Sequence, residues 1–120
     1  MATFLTAEWV KALDEAASGL HYAAAAPLTV EHAVGAFAYH VAYADSRVRF
    51  LCGAAACPTV RLVADRDTAV AIARGELSAQ RAFMNGLLRI EGDTLAFANA
   101  LPAFRVLGDV FAAVRADTEW

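Results

Sequence analysis

Trp9, Val10, Leu13 and Ala17 recur at helical spacing, with Lys11, Asp14 and Glu15 between them. The spacing predicts an amphipathic helix, opened by Thr6 as N-cap and ending near Gly19. The alanine-rich "HYAAAAPLT" then reads as a connection broken by Pro27, although alanine's helix propensity also allows a helical turn there. From about Val30 the period changes to two. Phe37, Tyr39, Val41 and Tyr43 share one strand face, and "YADSRV" reads as a turn. Val48, Phe50 and Cys52 then face one way, with Arg47 and Arg49 facing the other. After a second connection, "GAAACP", Val60, Leu62 and Ala64 face inward, with Thr59 and Arg61 outward. This alternation predicts a meander of antiparallel strands with one wet, arginine-bearing face.

Helical spacing returns with "TAVAIARG", capped by Asp65 or Asp67 and ended by Gly75. Ser78 can cap a short helix through Met84. "LLRIE" alternates again, with Leu88 and Ile90 opposite Leu87, Arg89 and Glu91. Asp93 opens a helix that Pro102 should interrupt. Pro102 suits the first turn of a last helix carrying the stripe Phe104, Leu107, Phe111 and Val114, with Arg105 and Asp109 on its outer side. The predicted order is helix, strands, helices, strand, helices, without repeats or a domain boundary, so residues 1–120 read as one domain. One dry sheet face requires the helices to gather on it, which makes the class α+β.

Composition adds mainly exclusions. The 120 residues are 59% hydrophobic, but 30 of them are alanine, which contributes little burial per side chain. Net charge is −3 and the arginines are spread from Arg47 to Arg115, so no basic stripe for nucleic acid exists. No secretory signal opens the chain and no apolar run reaches the 18 or so residues of a transmembrane segment. "ADTEW" carries no peroxisomal or prenylation signal, and Cys52 and Cys57 read as free thiols of a cytoplasmic protein.

Recognisable catalytic chemistry is also missing. Metal-ligand candidates are Cys52, Cys57, His21, His32 and His40, but none shows the tight pairing of a zinc site. His32 and His40, read on one strand face, would lie roughly 26 Å apart. The cysteines read better as small buried thiols. No G-x-S-x-G and no phosphate-binding glycine pattern occurs, and Asp65 and Asp67 read better as caps than as metal ligands. No catalytic residue, metal or cofactor is expected.

The aromatic and methionine set is more informative. Phe83, Met84, Phe97, Phe104 and Phe111 cluster in the last third of the sequence. Plain core packing would account for them, but Gly108 lies on the helix face of Phe104 and Phe111, and an interior Gly costs about 1 kcal/mol relative to Ala. Asn85 adjoins the same set. Apolar walls with a few polar groups describe a lipid or small-molecule pocket. Phe83, Met84, Asn85, Phe97, Phe104, Leu107, Gly108 and Phe111 are therefore the candidate ligand-binding residues.

The stretch "IARGELSAQRAFMNGLLRIEGD" resembles the sterol carrier protein type-two family of lipid-binding domains. Gly75, Leu77, Ala82, Phe83, Asn85, Gly86, Leu88, Arg89, Ile90, Gly92 and Asp93 fall on the family's pattern, and the resemblance extends over about 30–114. It implies a mostly antiparallel five-stranded sheet with helices on one face. It also implies an apolar tunnel for sterols, fatty acyl chains or phospholipids. On that pattern Phe83 and Met84 wall the tunnel, Asn85 stands where the family often has Gln, and Gly86 turns the chain from helix into strand. Leu87 departs from a position that is usually basic, and the peroxisomal signal of many members is missing, which points to a bacterial cytoplasm.

Three functional expectations follow. The first is a non-enzymatic carrier or binder of an apolar small molecule or lipid. The second is an accessory or catalytic domain of a lipid or secondary-metabolite pathway using the same pocket, which a titratable residue with a displaced pKa inside the pocket would favour. The third is an interaction module whose pocket has collapsed into core. Leu51, Val63 and Leu87 on the outer sheet face set a homodimer through the sheet against a monomer with scattered surface leucines.

Overall fold

A computed structural model describes residues 2–22, 27–107 and 109–120, without the side chains of 103–107. The elements in order are β1 (Ala2–Thr3), α1 (Ala7–Ala16), a 3₁₀ turn (Ala17–Gly19), β2 (Leu28–Val34), β3 (Phe37–Ala44), β4 (Arg47–Cys52) and β5 (Val60–Ala64). They continue with α2 (Arg66–Ala73), α3 (Ala79–Met84), β6 (Leu88–Gly92), α4 (Thr94–Leu107), α5 (Ala112–Arg115) and β7 (Thr118–Glu119). The main sheet has five strands in the order β4-β3-β2-β5-β6, and β1 pairs with β7 in a small parallel ribbon.

Local chemistry sets most boundaries where the pattern predicts them. The Thr6 hydroxyl accepts from the Trp9 amide, the Asp65 carboxylate from Thr68 at 2.8 Å, and the Ser78 hydroxyl from Arg81 at 3.1 Å. Each satisfies an amide left over at a helix N-terminus. Asp93 does the same for α4, accepting from Ala96 at 3.0 Å.

Four expectations are corrected. The period-two run beyond Val30 is a hairpin of two strands, because Gly35 at φ +58 folds the chain back on itself. His32 therefore lies opposite Tyr39, and His40 opposite Glu31, on the two faces of neighbouring strands rather than far apart on one face. The meander stops at β4. The chain then crosses back over the sheet, and β5 joins β2 in parallel, so the sheet is mixed, with its other three pairings antiparallel. Pro102 does not end a helix: α4 runs through it to Leu107, losing one backbone donor. Finally, Cys52 and Cys57 are exposed, Cys52 because it ends an edge strand and Cys57 because it lies in the crossing loop.

The register sorts the sheet into two faces. Val30, Val41, Phe50 and Val60 form one row across four strands of the inner face, and all are buried. α1 shields the edge at β4, where the Asp14 carboxylate accepts from the Phe50 amide at 2.9 Å and from Arg49 Nε at 3.0 Å. On the outer face Arg61 donates to Glu31 at 2.8 Å and to Glu91 at 3.3 Å, and Arg89 donates to Glu91 at 2.9 Å. Glu31 is only 5% exposed and accepts from Ala55 N–H, so the crossing loop covers part of the face read as wet.

Candidate functional site

A cavity of about 120 Å³ lies between the inner sheet face and the helices. His32, Tyr39, Leu62 and Leu88 contribute from the sheet. Trp9, Ala69, Ile72 and Phe111 contribute from the helical side. Alternation along β2 explains the floor. Val30 and Val34 are inward residues of this strand, and His32 between them must share their face. The roof follows from capping, since Thr6 starts α1 with Trp9 one turn in, over the sheet.

The aromatic rings lock together. Trp9 is 1% exposed, edge-on to Phe4 at 4.7 Å and to Tyr39 at 5.5 Å, and stacked over Phe111 at 6.0 Å with planes 7° apart. His32 stacks on Tyr39 at 4.7 Å. Among the described residues no carboxylate, guanidinium or ammonium lines the cavity.

Two polar features break the apolar lining. The Trp9 indole N–H is buried and has no hydrogen-bond acceptor among the described residues, an unusual state for a buried donor. The His32 imidazole is held neutral. Burial lowers its pKa to about 4, against a smaller opposing pull from the Glu31 carboxylate. That carboxylate is engaged by Arg61 on the other face. The same burial raises the Tyr39 hydroxyl above its ordinary value.

The sequence-derived residues separate into groups. Phe111 lines the cavity, and Phe97 packs against the core in a half-buried position. Phe83 and Met84 are 52% and 76% exposed on the outer side of α3 and do not line the cavity. Asn85 is the exposed C-cap of α3, where its amide N–H bonds to the Arg81 carbonyl. Phe104 and Leu107 belong to α4 with side chains outside the described residues, and Gly108 lies outside them altogether. Trp9, His32 and Tyr39 are absent from the sequence-derived ligand-binding set, His32 having been weighed only as a metal ligand. The available signal was a polar ring at an inward strand position between two valines. No group of three His, Cys, Asp or Glu among the described residues could hold a metal ion. Nor is any described helix long and apolar enough to cross a membrane.

Solved structures share the architecture. A crystal structure of sterol carrier protein 2 superposes with a TM-score of 0.72 at 20% identity, covering 90% of this chain and 96% of its own. The solution structure of TT1886 from Thermus thermophilus, described as a conserved hypothetical protein and possibly a sterol carrier protein, gives 0.61 at 18% identity, covering 98% and 91%. A double mutant of the sec-alkyl sulfatase PisA1 gives 0.53 at 14% identity, covering 64% of this chain and 13% of the sulfatase, so the fold also occurs as a small part of an enzyme. No curated protein matches the chain by sequence. Residues 10–101 match the model of the SCP-2 sterol transfer family, and the chain belongs to that family.

Proposed function

We propose that the protein binds and carries an apolar small molecule or lipid without chemically changing it. The observation behind this reading is the almost wholly apolar cavity between helices and sheet in a member of a sterol transfer family. At about 120 Å³ it takes a ring or a short length of chain. Ligand pockets commonly span about 300–1,000 Å³, so a whole lipid has to displace part of the lining. A ligand burying about 300 Å² of apolar surface gains roughly 7–8 kcal/mol before the costs of association. That suits micromolar, exchangeable binding.

The cavity lining favours Phe111 as a contact. Phe83 and Met84 enter this proposal only with a ligand that extends out to the surface of α3. Self-association through the sheet is a separate part of it, with Leu51 and Leu87 exposed; sedimentation of the wild type beside L87K tests it. The binding reading itself is tested by displacement of a fluorescent fatty acid or sterol analogue, and by native mass spectrometry of protein purified from its host. Copurified lipid and micromolar displacement are expected. No bound lipid and no displacement would sink the reading.

One observation speaks for chemistry in the same pocket: His32 is a titratable group with a displaced pKa inside it. A general base needs an orienting partner, however, and no described residue hydrogen-bonds the His32 ring, while Glu31 is bound to Arg61. The carrier reading is the better supported of the two.

A further inference from the structure

We infer that the free edge of β6 pairs with the same edge of a second copy of this chain, antiparallel and two-fold about Ile90, so that Arg89 of each copy meets Glu91 of the other. This rests on the self-association part of the proposed function, names its surface and register, and is independent of what the cavity binds.

The first observation is that the two edges of the sheet differ. β4 and β6 are the outermost strands. At β4 the Asp14 carboxylate accepts from the Phe50 amide and closes the edge. Among the described residues no group does this for β6, which pairs with β5 alone. An open row of amides and carbonyls is a template for another strand.

The second observation is which groups are open. The Asp93 amide donates to the Thr59 carbonyl at 2.9 Å, in step with the pairing of Gly92 with Val60. Backbone groups alternate in direction along an antiparallel strand. Glu91 and Arg89 therefore turn theirs to β5, and Leu88, Ile90 and Gly92 turn theirs outward. Two such edges bond only where members of this outward set meet. Centred on Ile90, the whole set is used: Ile90 faces Ile90, and Leu88 faces Gly92.

Charge then selects this register. Arg89 and Glu91 lie between the bonded positions, with side chains 68% and 42% exposed. In the centred register they face each other across the seam, at the closer, non-hydrogen-bonded positions. Sliding the partner until Leu88 meets Ile90 sets Arg89 against Arg89. Sliding it the other way sets Glu91 against Glu91. Like charges directly opposite disfavour pairing. Charges on an edge usually keep strands apart, but their order about Ile90, one cation and one anion, makes this edge self-complementary. Phe83 and Met84, 52% and 76% exposed, belong to α3, the helix in contact with β6, and supply apolar area beside the seam. Five residues of strand make a small contact, so monomer and dimer exchange rather than forming a permanent assembly.

Sedimentation of the full-length protein over a concentration series should show a monomer–dimer equilibrium. R89E sets two carboxylates against each other in every cross-seam pair, and E91R sets two guanidiniums. Each variant alone should self-associate roughly tenfold more weakly than wild type. An equimolar mixture of the two should regain the dimer, because every cross-seam pair is again opposite in sign. E91R also takes an acceptor from Arg61, so in case it folds poorly the wild type carries its own readout. Its Ile90 amide should gain protection from hydrogen exchange as concentration rises, while the Arg89 and Glu91 amides, already bonded to β5, stay unchanged. A dimer with an unprotected Ile90 amide and no response to R89E lies elsewhere on the sheet and overturns this inference alone. A wild type that stays monomeric across the series overturns the self-association reading with it and leaves the carrier reading standing.

Discussion

The His32 imidazole lies flat on the Tyr39 ring, centroids 4.7 Å apart and planes 2° apart, across a directly paired position of β2 and β3. This pairing puts a titratable ring on the floor of an apolar cavity. His32 is half-buried, its ring facing the cavity rather than bulk water. The low proton affinity follows from that placement.

Stability should therefore depend on pH through His32. Folded His32 titrates at about 4, whereas its ordinary value is 6.5. Between those values the unfolded chain holds more protons than the folded one. The contribution is complete above pH 6.5 and is lost as pH falls toward 4, amounting to about 2–3 kcal/mol. Other groups contribute to acid unfolding as well, Glu91 and Asp65 among them, since both are lowered. Denaturant melts of wild type and H32L at pH 7.5, 5.5 and 4.5 isolate the histidine by difference. Equal pH dependence in the two proteins would refute the burial argument.

The two glycines of the "NGLLRIEGD" stretch should differ in their tolerance of a methyl group. Gly92 has φ +105, and a Cβ there would sit 2.5 Å from the Thr59 carbonyl oxygen and 3.1 Å from Val60 Cα, both backbone atoms that have little room to move. Gly86, at φ +75, has open space around the same position. G86A should cost only the left-handed backbone penalty of about 1 kcal/mol. G92A should cost about 2–4 kcal/mol, because the β5–β6 pairing must shift as well. Urea titrations of the two variants give the comparison, and equal losses would contradict it.

The helix caps at Thr6, Asp65, Ser78 and Asp93 were legible because each acts within three residues of itself. The family motif supplied the five-stranded sheet and the helices on one face. Three features were not legible. The return at Gly35 leaves only a shift of one residue in the alternation, from inward Val30 and Val34 on β2 to inward Tyr39 and Val41 on β3, which is easily missed in a continuous period-two run. The parallel β2–β5 pairing is a contact across 30 residues that no local pattern encodes. The site was only partly legible for a related reason. Clustering along the sequence favoured Phe83 and Met84, but a helix of six residues packed on the edge strand β6 turns both outward, while Trp9 and His32, distant in sequence, meet at Tyr39.

The edge at β4 should depend on Asp14. Its carboxylate accepts from the Phe50 amide and from Arg49, filling a backbone position that a neighbouring strand would otherwise take. D14A should cost about 1–2 kcal/mol and increase concentration-dependent aggregation. D14N keeps an acceptor for the amide and loses only the charge on Arg49, so it should recover most of the stability. Light scattering and denaturant melts on both variants test this. Equal loss in the two would assign the effect to the ion pair instead.

Phe111 and Met84 should separate the cavity from the surface. The Phe111 ring stacks on Trp9 at 6.0 Å and lines the cavity. F111A removes that contact and enlarges the space beneath it, which should cost about 2–3 kcal/mol, somewhat less than a fully buried phenylalanine. Met84 is 76% exposed, so M84Q should change stability by no more than about 0.5 kcal/mol. Ligand measurements then distinguish two arrangements of the bound state. A ligand confined to the cavity leaves its affinity for M84Q at the wild-type value and loses affinity with F111A. A ligand that runs out between the helices and emerges over α3 loses affinity with M84Q although the fold is intact. The cavity's small volume and its lining by Phe111 rather than Met84 lead us to expect the first result. Fluorescent-probe titration of the folded variants decides between them, and weakened binding by M84Q with undiminished stability would overturn that expectation.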